Sequence, residues 1–380
     1  MSTSTQGDGF RELRKADSMA VALTVHATDV EDLALGATVL GGGGGGDTWL
    51  TKAMLYEAIR RSGPLTVHAA ETIADDALVV AVGIVGAPAA IVENFPGAIE
   101  VTRALSMIED HVGRRCEAIF PLEIGGMNAL FPLAAGHGAS VKCIDADAMG
   151  RAMPHIGMAL VNLAGRAPNP IALASCWGND ALLKSCSSGA AEAMVRTCLR
   201  EMGLVAAIAT YPMEAHQLRS AGAGESVSFC LELGRKLSAV SSVEDREAYD
   251  AFLKFVRGRT IFEGDVVHVR QPVVDPLGGL GGSVVLKHNR ESRRFMRVEF
   301  DTENVVASEE GQAVVTAPDI IIALHRETAR PVSVENISVG DRVQIVGIPA
   351  HDRWRTAEGI ALSGPRARGY DLDYVDLAAR

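Results

Sequence analysis

The chain is 380 residues long and 48% hydrophobic, with a formal net charge of -11 and a mean hydropathy of +0.15. That length fits two domains with a large core, and the acidic balance excludes a general binder of nucleic acid or of anionic membranes. Six cysteines with no CxxC pair signal no structural zinc site and fit buried thiols in a reducing compartment.

Residues 1–17 lack the apolar core of a signal peptide and are expected to be disordered. Thr28-Asp29-Val30-Glu31 reads as a capping box. It opens an apolar helix through Leu33, Ala34, Ala37, Val39 and Leu40. Six glycines, Gly41 to Gly46, then break the helix. Asp47 follows as an N-cap, and a second helix runs from Thr48 to Arg61 and stops at Gly63-Pro64.

A glycine run pinned between two helices exposes backbone N–H groups and admits close approach, so Gly43, Gly44, Gly45 and Gly46 are expected to cradle a ligand, with Asp47 beside them. The other reading is a plain linker. A Rossmann loop needs a preceding strand and a Walker A loop ends in Gly-Lys-Ser/Thr; this run does neither. Asp47 would repel a phosphate, so a small organic ligand is expected rather than a nucleotide. A Cβ at Gly44 or Gly45 is expected to cost activity far more than stability, because the loop adds little core.

Leu78 to Val85 is a continuous β-branched run, read as a strand buried on both faces. The longest uncharged stretch around it, Ala77 to Val92, is about sixteen residues and carries glycines and Pro88, too short and broken to span a bilayer. Further strands are read at Cys116–Glu123, Val141–Asp145, Ile171–Cys176 and Leu204–Thr210, the last ended by Pro212. Helices are read near Ala98–Val112, Ala190–Met202, Glu214–Ala221, Ser226–Val240 and Asp245–Val256. The alternation is an α/β pattern, and ligands in such sheets gather at strand carboxyl ends. Glu123, Asn128, Asp145, Asp147 and Cys176 all fall at such ends. After Arg257 the chain shifts to short alternating segments, read as a smaller β-rich domain. The expected organisation is a 1–17 tail, an α/β domain over 18–257 and a β-rich domain over 258–380.

Asp145 and Asp147, two apart, share a face if the strand stays extended, and then reach one cation or one reacting atom. The alternative is that one caps the next helix and the other is solvated. Arg151 has the fork to neutralise a substrate carboxylate, or else makes a surface ion pair. His137 and His155 read as structural more readily than as bases. Cys176 and Cys186 lack any motif that activates a thiolate.

Leu40-Gly41 through Asp47, Glu123-Ile124-Gly125-Gly126-Met127-Asn128, Asp145 through Pro154, and the tail Gly364 through Asp371 together resemble the S-methyl thiohydantoin desulfurase family. The resemblance implies an N-terminal α/β domain and a C-terminal β-rich, swivelling-type domain. It implies action on a thiohydantoin or related cyclic ureide. Its motifs fall on Gly42 to Asp47, Glu123, Asn128, Asp145, Asp147 and Arg151. Two positions depart from the pattern: His155, where a glutamate is usual, and Arg368, where an aromatic is usual.

The expected activity is hydrolytic removal of sulfur, as thiol or sulfide, to give a hydantoin. A carboxylate from Glu123, Asp145 or Asp147 serves as base, with or without a divalent metal, whose presence the sequence leaves open. Two alternatives stand beside it: an accessory subunit of a hydantoinase-type partner protein, and a cyclic-amide hydrolase acting on hydantoin itself. No nucleic-acid or membrane partner is expected, the location is expected to be cytoplasmic, and a homo-oligomer is left open.

Overall fold

The computed structural model describes residues 22–271, 281–291 and 293–377. The tail expected over 1–17 lies outside them. Among the described residues no helix is long and apolar enough to cross a membrane.

The N-terminal part is an eight-stranded sheet of β1 (Leu23–Val25), β2 (Leu65–His68), β3 (Leu78–Gly86), β4 (Ala118–Pro121), β5 (Lys142–Ile144), β7 (Ile171–Ala174), β8 (Asp180–Leu183) and β9 (Val205–Glu214). A two-residue strand, β6 (Ala146–Asp147), pairs separately with β10 (Ala223–Gly224). The order in the large sheet is β1-β2-β5-β4-β3-β9-β7-β8. Strands β2, β5, β4 and β3 are parallel, whereas β3, β9, β7 and β8 alternate in direction. The sheet is therefore mixed, an α/β half joined to an antiparallel half.

The uninterrupted apolar run of β3 has a simple cause. Val80, Val82 and Ile84 enter one core, while Val79 and Ala81 enter the core on the opposite face. Strand β9 divides in the same way, Ala207 and Ala209 on one side, Ala206 and Ile208 on the other. A strand covered on both faces has no polar side to show.

Eight helices matter for the site: α1 (Val30–Leu40), α2 (Trp49–Ser62), α3 (Ala98–Val112), α4 (Met127–Gly138), α5 (Ser188–Glu201), α6 (Ala215–Ala221), α7 (Ser226–Ser238) and α8 (Arg246–Phe255). Helices α1 and α7 touch backbone to backbone. A Cβ on Gly36 would lie 1.9 Å from the Cys230 carbonyl oxygen, and one on Gly234 would lie 1.7 Å from that of Asp32.

Three local expectations are corrected. The box before α1 sits two residues earlier, where Asp29 accepts the His26 N–H at 2.8 Å. Strand β9 does not stop at Pro212: it continues to Glu214 past an irregular step opposite Val80, with Tyr211 in the left-handed region at φ 51°. A proline with no N–H is tolerated at such a bulge. Helix α4 was not foreseen at all. It carries Pro132 inside it, and every residue from Met127 to Gly136 is buried, so it has no polar face to set a period.

The C-terminal part is a second eight-stranded sheet, entirely antiparallel. Its strands are β11 (Arg259–Arg270), β12 (Gly282–His288), β13 (Phe295–Phe300), β14 (Asn304–Glu309), β15 (Gln312–Thr316), β16 (Ile320–His325), β17 (Pro331–Val332) and β18 (Arg342–Ile348). Their order is β15-β14-β13-β12-β11-β18-β16-β17. Ile321 and Ala323 of β16 feed the core of this sheet, whereas Ile320, Ile322 and Leu324 pack into the core of the first. The two sheets are joined through β16, and the glycine loop lies at that junction.

Candidate active site

The glycine loop is held by its carbonyls. Those of Gly42, Gly43 and Gly45 accept the N–H groups of Asn304, Val334 and Met127, each at 2.9 Å. Gly42, Gly43, Gly45 and Gly46 have φ of 59°, 91°, 80° and 76°, in the region that favours glycine. The loop is packed, not free. A Cβ on Gly44 would lie 1.9 Å from the Thr302 carbonyl oxygen, and one on Gly45 would lie 2.9 Å from Gly126 Cα. The expectation that alanine there leaves the fold untouched is therefore corrected: the loop is the seam between the two sheets. Among the described residues, the N–H groups of Gly43, Gly45 and Gly46 meet no acceptor. Asp47 is exposed, and its Oδ1 accepts the Trp49 N–H at 2.9 Å at the start of α2.

Glu123 lies just past β4, at its carboxyl end. Strand β3 runs beyond the β4 pairing, and the Asn128 side-chain amide takes the place of the missing strand. Its Oδ1 accepts the Ile84 N–H at 2.6 Å, and its Nδ2 donates to the Ile84 carbonyl at 3.1 Å. These two bonds fix which end of the amide is which. Nδ2 also donates to Glu123 Oε1 at 2.7 Å, while Glu123 Oε2 accepts the Met153 N–H at 2.9 Å. Burial pushes the Glu123 carboxyl up to about 8, against the opposing pull of those two donors.

Asp145 and Asp147 do not converge on one point. Asp145 Oδ1 accepts the N–H groups of Val227 and Ser228 at 2.8 and 3.0 Å, and Oδ2 accepts the Ser228 hydroxyl, so this carboxylate caps α7. Asp147 Oδ2 accepts the N–H groups of Met149 and Gly150 at 2.9 and 2.7 Å. Its Oδ1 is buried, and the Ser226 hydroxyl and Ile124 N–H lie near enough to the carboxylate to favour its charge, though short of good hydrogen-bond geometry. Burial pushes Asp147 up to about 7, with the Gly150 and Met149 N–H groups pulling it down. Among the described residues no group of three or more His, Cys, Asp or Glu side chains is placed to hold a metal ion. The donor set does not fit the divalent-metal expectation, because each aspartate is turned toward its own N–H groups.

Arg151 is buried, not on the surface. Its Nη2 donates to Glu303 at 2.7 Å, and its Nη1 donates to the carbonyls of Pro318 and Asp319. Glu303 also receives Arg368 Nη1 at 2.6 Å, and Arg368 pairs with Asp301 at 2.7 Å. Glu303 was not anticipated. It sits three residues past the end of β13, in a segment with no motif, and its signal is the buried cations Arg151 and Arg368. His137 Nε2 bonds the Gly63 carbonyl at 2.9 Å, a structural contact, and His155 is exposed with Nδ1 3.6 Å from Glu192. Cys176 and Cys186 are exposed, whereas burial pushes the Cys143 thiol up to about 12.

The geometry can be set beside known proteins. Residues 28–185 match the model of the S-Me-THD-like N-terminal domain, and residues 186–377 match that of the S-Me-THD-like C-terminal domain. A crystal structure of a protein from Chromobacterium violaceum superposes with a TM-score of 0.78 at 23% identity, covering 94% of this chain and 100% of that one. That likeness bears on the fold alone. A comparison with curated proteins returns no match.

Proposed function

The chain belongs to the S-Me-THD-like family, and from that premise we propose that it hydrolyses an S-methyl thiohydantoin, releasing methanethiol and leaving a hydantoin. The observation that carries this reading is Glu123, a buried carboxyl beside the glycine seam that burial pushes up to about 8. A carboxyl tuned there can both take a proton and return it near neutral pH.

Water adds to the ring carbon between the two nitrogens, and Glu123 takes its proton. The electron pair displaced onto the ring nitrogen then expels the sulfur, the departing thiolate recovers that proton from Glu123, and the hydroxyl proton left on the new oxygen passes to the ring nitrogen to give the carbonyl. Oxygen has replaced sulfur, no electrons are exchanged, and the carboxylate is restored. The N–H groups of Gly43, Gly45 and Gly46 polarise the ring heteroatom or carbonyl as it gains negative charge. Asn128 orients Glu123, while Asp145 and Arg151 position the backbone around it. Asp147 acts as a second, neutralisable carboxyl on the far side of the Gly150 turn. Asp47 is assigned to the substrate's ring N–H at the loop's exposed end. The second domain is read here as the swivelling-type domain that the family resemblance implies.

The test is thiol release, followed with a thiol-reactive dye, over a panel of S-methyl thiohydantoins. Turnover by the wild-type chain and its loss in Glu123→Gln are expected. No release from any ring by folded protein, with and without added divalent metal, would overturn the reading. Ring opening to a carboxylate without thiol would assign the chain instead to cyclic-amide hydrolysis.

A further inference from the structure

Strand β8 ends the first sheet, with β7 on one side of it and no strand on the other. The turn before it fixes which backbone groups face the open edge. Ser175 donates its N–H to the Asn179 carbonyl at 2.9 Å. From there Ala174, Leu173, Ala172 and Ile171 stand opposite Asp180, Ala181, Leu182 and Leu183. Hydrogen-bonded pairs alternate along an antiparallel ladder. The N–H and C=O groups of Ala181 and Leu183 therefore point to β7, and those of Asp180 and Leu182 point outward. Ser185 keeps the count, because both its backbone groups bond the Asn169 side chain beside β7. Lys184 is thereby turned outward too. Among the described residues these outward groups meet no backbone partner.

The side chains of Asp180, Leu182 and Lys184 share one face of the strand. All three are exposed, Leu182 at 40%. Helix α3 lies on that face: its Arg103 is paired with both Glu100 and Asp180. Ile99, one turn before Arg103, is 71% exposed. Trp177, in the turn before β8, is 67% exposed, with its Nε1 donating to Asn94. An open strand edge with apolar side chains beside it is a template for another strand. A lone lysine on such an edge blocks pairing. Here the lysine is matched, since Asp180 and Lys184 flank Leu182 at equal distance, two residues to either side.

We propose that this edge pairs with a second copy of the chain, the two β8 strands running antiparallel about a two-fold axis at Leu182. Leu182 then stands opposite its own copy, and Asp180 of each chain stands opposite Lys184 of the other. A two-fold centred on Asp180 or on Lys184 would oppose like charges, so the side chains set the register. The outward groups of all three residues become hydrogen-bonded pairs, and the first sheets of the two chains run on as one. Each end of the contact carries the row Glu100, Arg103, Asp180 and the incoming Lys184, alternating in sign. The contact is isologous and closes on itself, as a dimer requires.

Sedimentation equilibrium of the full chain tests this, and its readout involves no turnover. A species of twice the 40.0 kDa chain mass is expected. Lys184→Glu should raise the dimer dissociation constant roughly 10-fold or more, because two like-charge pairs replace two opposite ones. Adding Asp180→Lys to it should recover most of that loss. Leu182→Pro should give a monomer, since the N–H it removes faces outward and the β7 ladder is kept. If Leu182→Pro fails to fold, Lys184→Glu and its rescue carry the test. A 40.0 kDa species at every concentration overturns the proposal. So does a dimer that neither Lys184→Glu nor Leu182→Pro weakens, because its interface then lies elsewhere. A double variant no tighter than Lys184→Glu alone overturns the pairing of Asp180 with Lys184, and with it the two-fold at Leu182.

Discussion

Replacing Glu123 by glutamine should change the sign of its effect on stability as pH rises. The folded protein holds Glu123 near 8, against 4.5 for the ordinary side chain. Folding therefore favours the protonated form. Its contribution is intact below about 4.5 and is lost as pH climbs through about 8. At 1.36 kcal/mol per pH unit the whole span is on the order of 4–5 kcal/mol. Glutamine escapes that loss but meets another. Asn128 cannot rotate its amide, because Ile84 holds both ends. A glutamine NH₂ must then face either Asn128 Nδ2 or the Met153 N–H, donor against donor, at a cost of about 1–3 kcal/mol. Glu123→Gln should be the less stable protein at pH 5 and the more stable at pH 8. A chain of this size loses roughly 0.8 kcal/mol of stability per degree near its midpoint, from about 2 cal/mol/K per residue. The melting temperature of wild type minus that of the variant should fall by roughly 5 °C between those pH values. Asp147 titrates in both proteins, so the difference is chiefly Glu123, with a smaller part from the repulsion between the two carboxyls. Thermal melts at half-unit pH steps measure it, and parallel curves for the two proteins would refute a raised carboxyl.

Gly44→Ala should lower the melting temperature and activity together, by about 1–3 kcal/mol in stability, because its Cβ would stand 1.9 Å from the Thr302 carbonyl oxygen; a native melt with reduced kcat/KM would contradict the packed seam. Asp145→Ala should cost about 1–2 kcal/mol in urea unfolding as the α7 cap is lost, whereas Asp145→Asn should recover most of it. Arg151→Lys should behave as a disruptive change, costing about 3 kcal/mol, since a lysine cannot reach Glu303 and the two carbonyls at once; unfolding by urea that matches wild type would show the fork to be dispensable.

Some of this architecture is written locally and some is not. The run Leu78 to Val85 is legible because each half of it feeds a different core, and both cores want β-branched residues. Helix α4 is not, since Pro132 and unbroken burial erase the two signals that mark a helix. The glycines announce a close approach, but the groups that approach, Thr302, Asn304 and Gly126, have nothing in their own sequence to say so. Asp145 stands out as a carboxylate at a strand end. That it caps a helix beginning at Ser226 depends on β6 pairing with β10, a contact between segments about eighty residues apart. Glu303 and Arg368 are unreadable for the same reason: a buried ion pair is a property of two distant segments, and either half alone looks like surface charge.

The Arg151–Glu303 contact also sets a clock during synthesis. The two residues are separated by 152 positions. At about 5–20 residues per second, roughly 8–30 s pass between the emergence of the arginine and that of its carboxylate. Throughout that interval the first sheet can form its strands, yet the turn after Asp147 carries a cation with no counterion and the glycine seam has no second wall. A chain truncated before Glu303 keeps the cation and lacks both its carboxylate and the second wall of the glycine seam.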